Sequence, residues 1–185
     1  MNLFQILTDK HATPLRILDS FFGFDSKPYF DCDPLGDIWQ NMIVSINKSD
    51  VRTNFFRLFE SALVCDEDTA DIFWTQFEMF GELLPIYTED NEKLYVINII
   101  ENYNALIKQA SVWNNCNEVL EYVFHAKRVG HDASIFKTPE NNFRDIFTNY
   151  IPYSLIQEGE LYEDFYQLYH QHKLTGLMFK KIKCS

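Results

Sequence analysis

One piece of chain architecture occurs twice in this sequence, and it limits the fold more than any other feature. The first copy runs Ala62-Leu63-Val64-Cys65-Asp66-Glu67, then an amphipathic stretch, then Gly81-Glu82-Leu83-Leu84-Pro85-Ile86. The second runs Tyr153-Ser154-Leu155-Ile156-Gln157-Glu158, then a second such stretch, then Gly176-Leu177-Met178-Phe179-Lys180-Lys181-Ile182. Each reads as a short apolar strand, an acidic helix start, a helix, a glycine stop and another strand.

In the first copy Asp66 suits an N-cap, and Glu67, Asp68 and Asp71 sit where a helix dipole favours negative charge. Ala70, Phe73, Phe77 and Phe80 recur at helical spacing and predict one buried face, with Asp71, Thr75, Glu78 and Glu82 largely opposite. Gly81 is placed to stop that helix. In the second copy Leu161, Phe165, Leu168 and His172 fall on one stripe. Glu160, Glu163 and Asp164 open that helix, and His170, His172 and Lys173 close it.

Elsewhere the periodicity predicts strands at Asn41 to Ile46, Leu83 to Tyr87, Lys93 to Ile100, Val119 to Phe124 and Ser134 to Phe136. The run from Lys93 is apolar almost without interruption, which predicts burial on both faces. The short polar link Thr88-Glu89-Asp90-Asn91-Glu92 makes an antiparallel hairpin of the second and third of these strands. Gly130-His131-Asp132 reads as a turn and Asn141 to Asn149 as a short helix, while Asn54 to Phe59 and most of residues 1 to 40 give no clear period. Irregular alternation with a hairpin predicts an α+β fold, a mixed or antiparallel sheet packed with helices. At 185 residues and 46% apolar, the chain is expected to form a single domain with a substantial core, rich in its 17 Phe.

The formal charge of −11, with an isoelectric point near 4.8, argues against nucleic acid or anionic membranes as partners. From Arg57 to Glu92 there are ten acidic residues and one basic one, while the tail from Lys173 to Lys183 is basic. The acidic segment is either a solvated face or a landing surface for a basic partner. Met1 to Leu15 does not read as a signal peptide, and no run approaches the ~20 apolar residues of a spanning helix. Cys32, Cys65, Cys116 and Cys184 lack C-x-x-C spacing, and reduced thiols in a cytoplasm are the expectation.

No motif for catalysis stands out. His170 and His172 point about 200° apart on a regular helix and so cannot share one metal there. Cys116 with His125 or His131 could be drawn as a thiol and its base, but no local signature surrounds Cys116, which sits in a polar loop. Cys65 reads as a small buried apolar residue. Glu67-Asp68 and Glu163-Asp164 are explained by their helix starts. No gly-rich phosphate loop is present, and no metal or cofactor is expected.

The run Leu63-Val64-Cys65-Asp66, a helix, Gly81-Glu82-Leu83-Leu84-Pro85-Ile86, Leu94-Tyr95-Val96-Ile97-Asn98-Ile99 and Tyr103-Asn104-Ala105-Leu106 resembles a bacterial immunity-protein family of polymorphic toxin systems. So do Glu121-Tyr122-Val123-Phe124, Ser134-Ile135-Phe136-Lys137 and the closing Leu174-Thr175-Gly176-Leu177-Met178-Phe179. The likeness spans roughly residues 60 to 183, with residues 1 to 55 poorly matched. It implies a cytoplasmic protein, without an active site, that binds and neutralises a cognate toxin. The partner-binding residues expected from the acidic segment are Glu67, Asp68, Asp71, Glu78, Glu82, Glu89, Asp90 and Glu92. The rival expectations are a small hydrolase or transferase with a Cys/His site, and a regulatory protein-interaction domain.

Overall fold

The computed structural model of the chain describes residues 2–20, 28–47, 49–130, 134–152 and 164–185. The chain opens with β1 (Asn2–Thr8), β2 (Leu15–Ser20), β3 (Met42–Ile46) and β4 (Phe55–Phe56). The first repeated unit follows as β5 (Leu63–Asp66), α1 (Glu67–Ile72), α2 (Trp74–Phe80) and β6 (Gly81–Thr88), and β7 (Lys93–Ile99) completes a hairpin with β6. Short strands β8 (Val112–Trp113), β9 (Val119–Glu121), β10 (Val123–Phe124) and β11 (Ile135–Phe136) lead to β12 (Ile146–Tyr150). Then come α3 (Phe165–Gln171) and β13 (Leu177–Cys184).

Among the described residues the strands form a six-stranded sheet, β2-β3-β6-β7-β5-β4, a five-stranded sheet, β10-β13-β1-β12-β11, and the ribbon β8-β9. Both larger sheets are mixed: β3 pairs β6 in parallel and β10 pairs β13 in parallel, and the other pairings are antiparallel. The six-stranded sheet curls until its ends meet. Leu15 N donates to Arg57 O at 2.9 Å and Arg57 N to Thr13 O at 2.9 Å, on either side of a parallel bridge from Pro14 to Arg57.

Period-two alternation decides what each face buries. Met42, Val44, Val64, Leu84, Ile86, Leu94 and Val96 point into the curl and pack with Phe30, Phe56 and Phe59. Leu63, Cys65, Ile97 and Ile99 point out of it, against the helices. β7 is thus buried on both faces, as its apolar run predicts. The helices lie between the two sheets: Ala70, Phe73, Phe77 and Phe80 meet Phe165, Leu168 and Tyr169, with Ile6, Ile135, Ile146 and Leu177 from the five-stranded sheet. The opposite face of that sheet carries Leu3, Phe136, Phe147 and Ile182 under Ala105, Leu106, Tyr122 and Phe124. Burying a Phe stabilises by roughly 1.5–3 kcal/mol, so this aromatic centre is a main source of stability.

Several expectations need correction. The sheets, not the helices, dominate: the helices are short and fill one layer, so α+β holds only in the coarse sense. The first helix is two, broken at Phe73 (φ −101°, ψ 12°), whose N–H still reaches Thr69 O. Asn141 to Asn149 is not a helix: Pro139–Asn141 is a 3-10 turn, and β12 takes up the alternating Ile146, Phe147, Thr148 and Asn149. Val119 to Phe124 is two strands, with Tyr122 between them. Gly81 ends α2 without left-handed geometry (φ −170°); it is small because a Cβ there would lie 2.3 Å from Asn98 O. Gly176 does need its glycine, with φ +103° and a virtual Cβ 2.1 Å from Phe55 O. The expected strand Tyr153 to Glu158, the residues Glu160, Leu161 and Glu163 expected in the second helix, and His131 lie outside the described residues, whereas Asp164 caps that helix at Phe165.

Candidate functional site

The acidic segment separates into three groups. Asp66 caps α1 by accepting from Thr69 N at 2.9 Å, which orients Glu67 and Asp68 in the first turn. Glu67 meets Lys93 Nζ at 3.3 Å. Asp71 and Glu78 are exposed on α1 and α2. Glu89 and Asp90 are exposed at the tip of the β6–β7 hairpin; Glu92 closes it, its carbonyl accepting from Thr88 N at 2.9 Å, and its carboxylate makes a two-pronged pair with Arg52. Arg52 also lies over the Phe56 ring, 5.4 Å from its centroid.

Glu82 does something different. Its carboxylate accepts from Leu35 N at 2.8 Å, Gly36 N at 3.1 Å and Asn98 Nδ2 at 3.0 Å. It pins the Leu35–Gly36 loop to the sheet and is half-buried, so it is a structural group rather than part of an open surface. Glu82 lies near the start of β6 and Glu89 just past its end, about 23 Å apart at ~3.3 Å per residue. The eight carboxylates therefore do not make one patch.

The helical part of the segment carries an additional feature. Asp71, Trp74, Thr75 and Glu78 are exposed at three- and four-residue spacing, opposite the buried Ala70, Phe73, Phe77 and Phe80. Trp74 is 45% exposed and Met79 64% exposed, which is high for two large apolar side chains on one short helix.

A cleft of about 640 Å³ opens where the two sheets and the β8–β9 ribbon meet. One wall is Arg57, Phe59, Glu60 and Leu63, from the link between β4 and β5. Another is Cys116 to Leu120, from the ribbon; the floor is β1 with Asn141, Arg144, Asp145 and Ile146. Asn114 shapes the ribbon's turn: its Oδ1 accepts from Cys116 N at 2.8 Å and Glu118 N at 2.9 Å, with Asn117 left-handed at φ 59°. Asn142 and Phe143 are also left-handed, at φ 58° and 57°, which turns the chain sharply into β12.

Asp145 is the centre of the floor. Its Oδ1 accepts from Gln5 Nε2 at 3.0 Å, and its Oδ2 from Tyr122 Oη and, at 2.9 Å, from Asn141 Nδ2. Asn141 Nδ2 also donates to Tyr122 Oη at 2.9 Å. Burial, and then the Asp145 carboxylate, hold the Tyr122 phenol protonated well above its usual range. Arg144 Nη1 donates to Glu118 Oε1 at 2.7 Å, and Arg57 Nη1 to Lys10 O at 3.1 Å. The hydrogen bond from Arg144 holds the Glu118 carboxyl below the usual range.

Cys116 lines this cleft and is exposed, as its polar loop predicts. His125 is not among the lining residues; it begins a 3-10 turn with its N–H on Ala105 O at 2.8 Å. The structure thus does not bring this thiol and this imidazole together in the cleft. His172 is exposed at the end of α3 instead of on its buried stripe. His170 packs on Tyr166 and Phe179, with centroids 4.4 and 5.4 Å away, and burial lowers its pKa. That weakens its service as a cation at the helix end. Cys65 is fully buried, which pushes its thiol up.

Among the described residues, no group of three His, Cys, Asp or Glu could hold a metal ion. Lys137 is fully buried; its Nζ donates to Phe30 O at 2.5 Å, and burial pushes its pKa down to about 8. No described helix is long and apolar enough to cross a membrane.

The cleft residues Tyr122, Asn141, Arg144 and Asp145 escape a reading of the sequence. They are polar residues scattered between strands, and a helix placed over Asn141 to Asn149 hides the turn that gathers three of them. Asn141-Asn142 ahead of the alternating Ile146 to Tyr150 is the signal that points to a turn and a strand. No protein-family model matches the chain, and no curated protein matches it.

Proposed function

We propose that this chain is a non-enzymatic binding protein of the immunity type, which captures a cognate bacterial toxin of basic character and neutralises it. The observation that carries this is the outer face of α1 and α2. Trp74 and Met79 stand exposed there beside Asp71 and Glu78. Tryptophan is enriched among interface hot spots, and surrounding carboxylates steer a cationic partner and set its orientation. Glu67 and Asp68, in the first turn of α1, extend the same negative field. Glu82 is excluded from the surface by its hydrogen bonds to the Leu35–Gly36 loop.

The resemblance of residues 60 to 183 to immunity proteins of polymorphic toxin systems supports the same function. The four free thiols suit a reducing cytoplasm. In the cleft, the acid–base groups of the floor are engaged with one another, which favours a binding role over proton transfer there.

The test is capture from a lysate of the native cell at low and at high salt. A single basic protein in stoichiometric amount, held at low salt and weakened at high salt, is the expected result. Retention of no basic protein, or retention equal for wild type and a Trp74→Ala, Glu78→Lys double variant, counts against it.

A further inference from the structure

We infer that the cleft between the β8–β9 ribbon, the Arg57–Glu60 segment and the turn before β12 receives an arginine side chain presented by the basic partner. This rests on the binding function proposed above and names the group that the partner inserts. The cleft holds about 640 Å³, which is enough for a guanidinium and its stem.

Hydrogen-bond accounting selects a donor, and the charge of the lining selects a cation. Both amide hydrogens of Asn141 are committed, one to Tyr122 Oη and one to Asp145 Oδ2, each at 2.9 Å. The Tyr122 hydroxyl gives its proton to Asp145. A flipped Asn141 amide would turn its oxygen onto the carboxylate, so its orientation is fixed. Asn141 is 8% exposed, and its Oδ1 is buried with no hydrogen-bond partner among the described residues, so a guest reaches it by a small turn of the amide. The floor has therefore used its donors and keeps a surplus acceptor beside a carboxylate. Carboxylates also outnumber guanidiniums in the lining: Glu60, Glu118 and Asp145 against Arg57 and Arg144. Arg144 is already paired with Glu118. An arginine brings five donors in a planar fork and no acceptor, and its stem fits against Ile6, Leu120 and Ile146. A neutral donor could satisfy the free oxygen but would leave the carboxylate excess uncompensated, and an anion would add to it.

The test is an NMR titration of the full chain, labelled with nitrogen-15, using N-acetyl-arginine amide and its uncharged citrulline counterpart. The arginine compound is expected to shift the Asn141 side-chain amide and the Asp145 backbone amide and to saturate. The citrulline compound is expected to bind at least about tenfold more weakly, the loss of one charge-assisted contact. Glu60→Gln, on an exposed wall where folding is not at stake, is expected to weaken the arginine compound about threefold. Asp145→Asn should weaken it more, with its fold checked by circular dichroism. Equal binding of the two compounds, or shifts confined to other parts of the chain, overturns the inference. So does capture of the same partner equally by wild type and Asp145→Asn, which leaves the binding function standing. Saturable arginine binding with no basic partner captured instead overturns the binding function and keeps the guanidinium site.

Discussion

Phe73, at the break between α1 and α2, stacks on Phe165 at the start of α3, with ring centroids 4.5 Å apart and planes 28° from parallel. Both rings are fully buried. One belongs to the unit that feeds the curled six-stranded sheet, the other to the unit that feeds the five-stranded sheet. The contact therefore joins the two repeated units, and through them the two sheets. Phe55 and Phe77 pack around the pair at centroid distances of 5.4 to 6.2 Å.

Truncating this stack is expected to be among the costliest changes in the chain. Phe165→Ala and Phe73→Ala should each destabilise by about 3–5 kcal/mol, the usual range for an aromatic removed from a packed core. Urea midpoints would read the loss. A double-mutant cycle should return a coupling of about 0.5–1.5 kcal/mol for the ring pair. A coupling near zero would mean that the two units are not held by this contact.

The two glycines between helix and strand in the repeated units, Gly81 directly after α2 and Gly176 five residues after α3, should respond differently to alanine. Gly81 is extended, so Gly81→Ala meets only the crowding against Asn98 O and is expected to cost about 1–3 kcal/mol. Gly176→Ala meets crowding against Phe55 O and a left-handed backbone together, and should cost more. Thermal melts that rank Gly81→Ala as the worse of the two would contradict this account.

Glu82→Ala removes the acceptor for two backbone N–H groups and Asn98 Nδ2. It should destabilise by about 2–3 kcal/mol, since several donors lose a charged partner at once. Hydrogen exchange at Leu35 and Gly36 should accelerate. Partner capture should be unchanged, because the group serves the fold and not the surface. Glu78→Lys should do the reverse, leaving the melt within about 0.5 kcal/mol of wild type while weakening capture.

Asp164 gives a pH signature. It caps α3, accepting from Gln167 N at 2.7 Å and Ile151 N at 3.2 Å, yet burial outweighs these bonds and raises its pKa to about 6. A carboxyl raised above its unfolded value of ~3.9 binds an extra proton in the folded state between those two values. Its contribution is most favourable below about pH 4 and is lost as pH rises towards 6, by up to about 3 kcal/mol. Asp164→Asn keeps a capping oxygen and cannot ionise. Relative to that variant, wild type should lose stability from pH 4 to 6. A difference that does not change with pH would refute the burial argument.

The sequence is most legible where the period is long and each face has one fate. The buried stripe of Ala70, Phe73, Phe77 and Phe80, the hairpin of β6 and β7, and β13 all follow from spacing alone. β1 and β2 do not, because Asn2 to Thr8 mixes polar and apolar residues: Gln5 is buried for its bond to Asp145 while Leu7 is only half-buried. The short strands β10 and β11 fall within the runs Val119 to Phe124 and Ser134 to Phe136 that the alternation marks, whereas β4, in the aromatic run Asn54 to Phe59, exists only through its pairing with β5. Charge counting finds the acidic segment, but it cannot tell Glu82, held by the Leu35–Gly36 loop, from Glu78 in solvent. The cleft is a product of tertiary contacts between β1, the β4–β5 link and the turn at Asn141.

The central claim is neutralisation of a basic toxin through the face that carries Trp74 and Glu78. The most direct measurement is growth of cells expressing the basic protein that the chain captures from its native lysate, with wild type or the Trp74→Ala, Glu78→Lys variant supplied from a second promoter. Wild type is predicted to restore growth, and the variant, folded as judged by its melt, to fail. Death of the cells with wild type present, or equal rescue by the variant, would contradict the account.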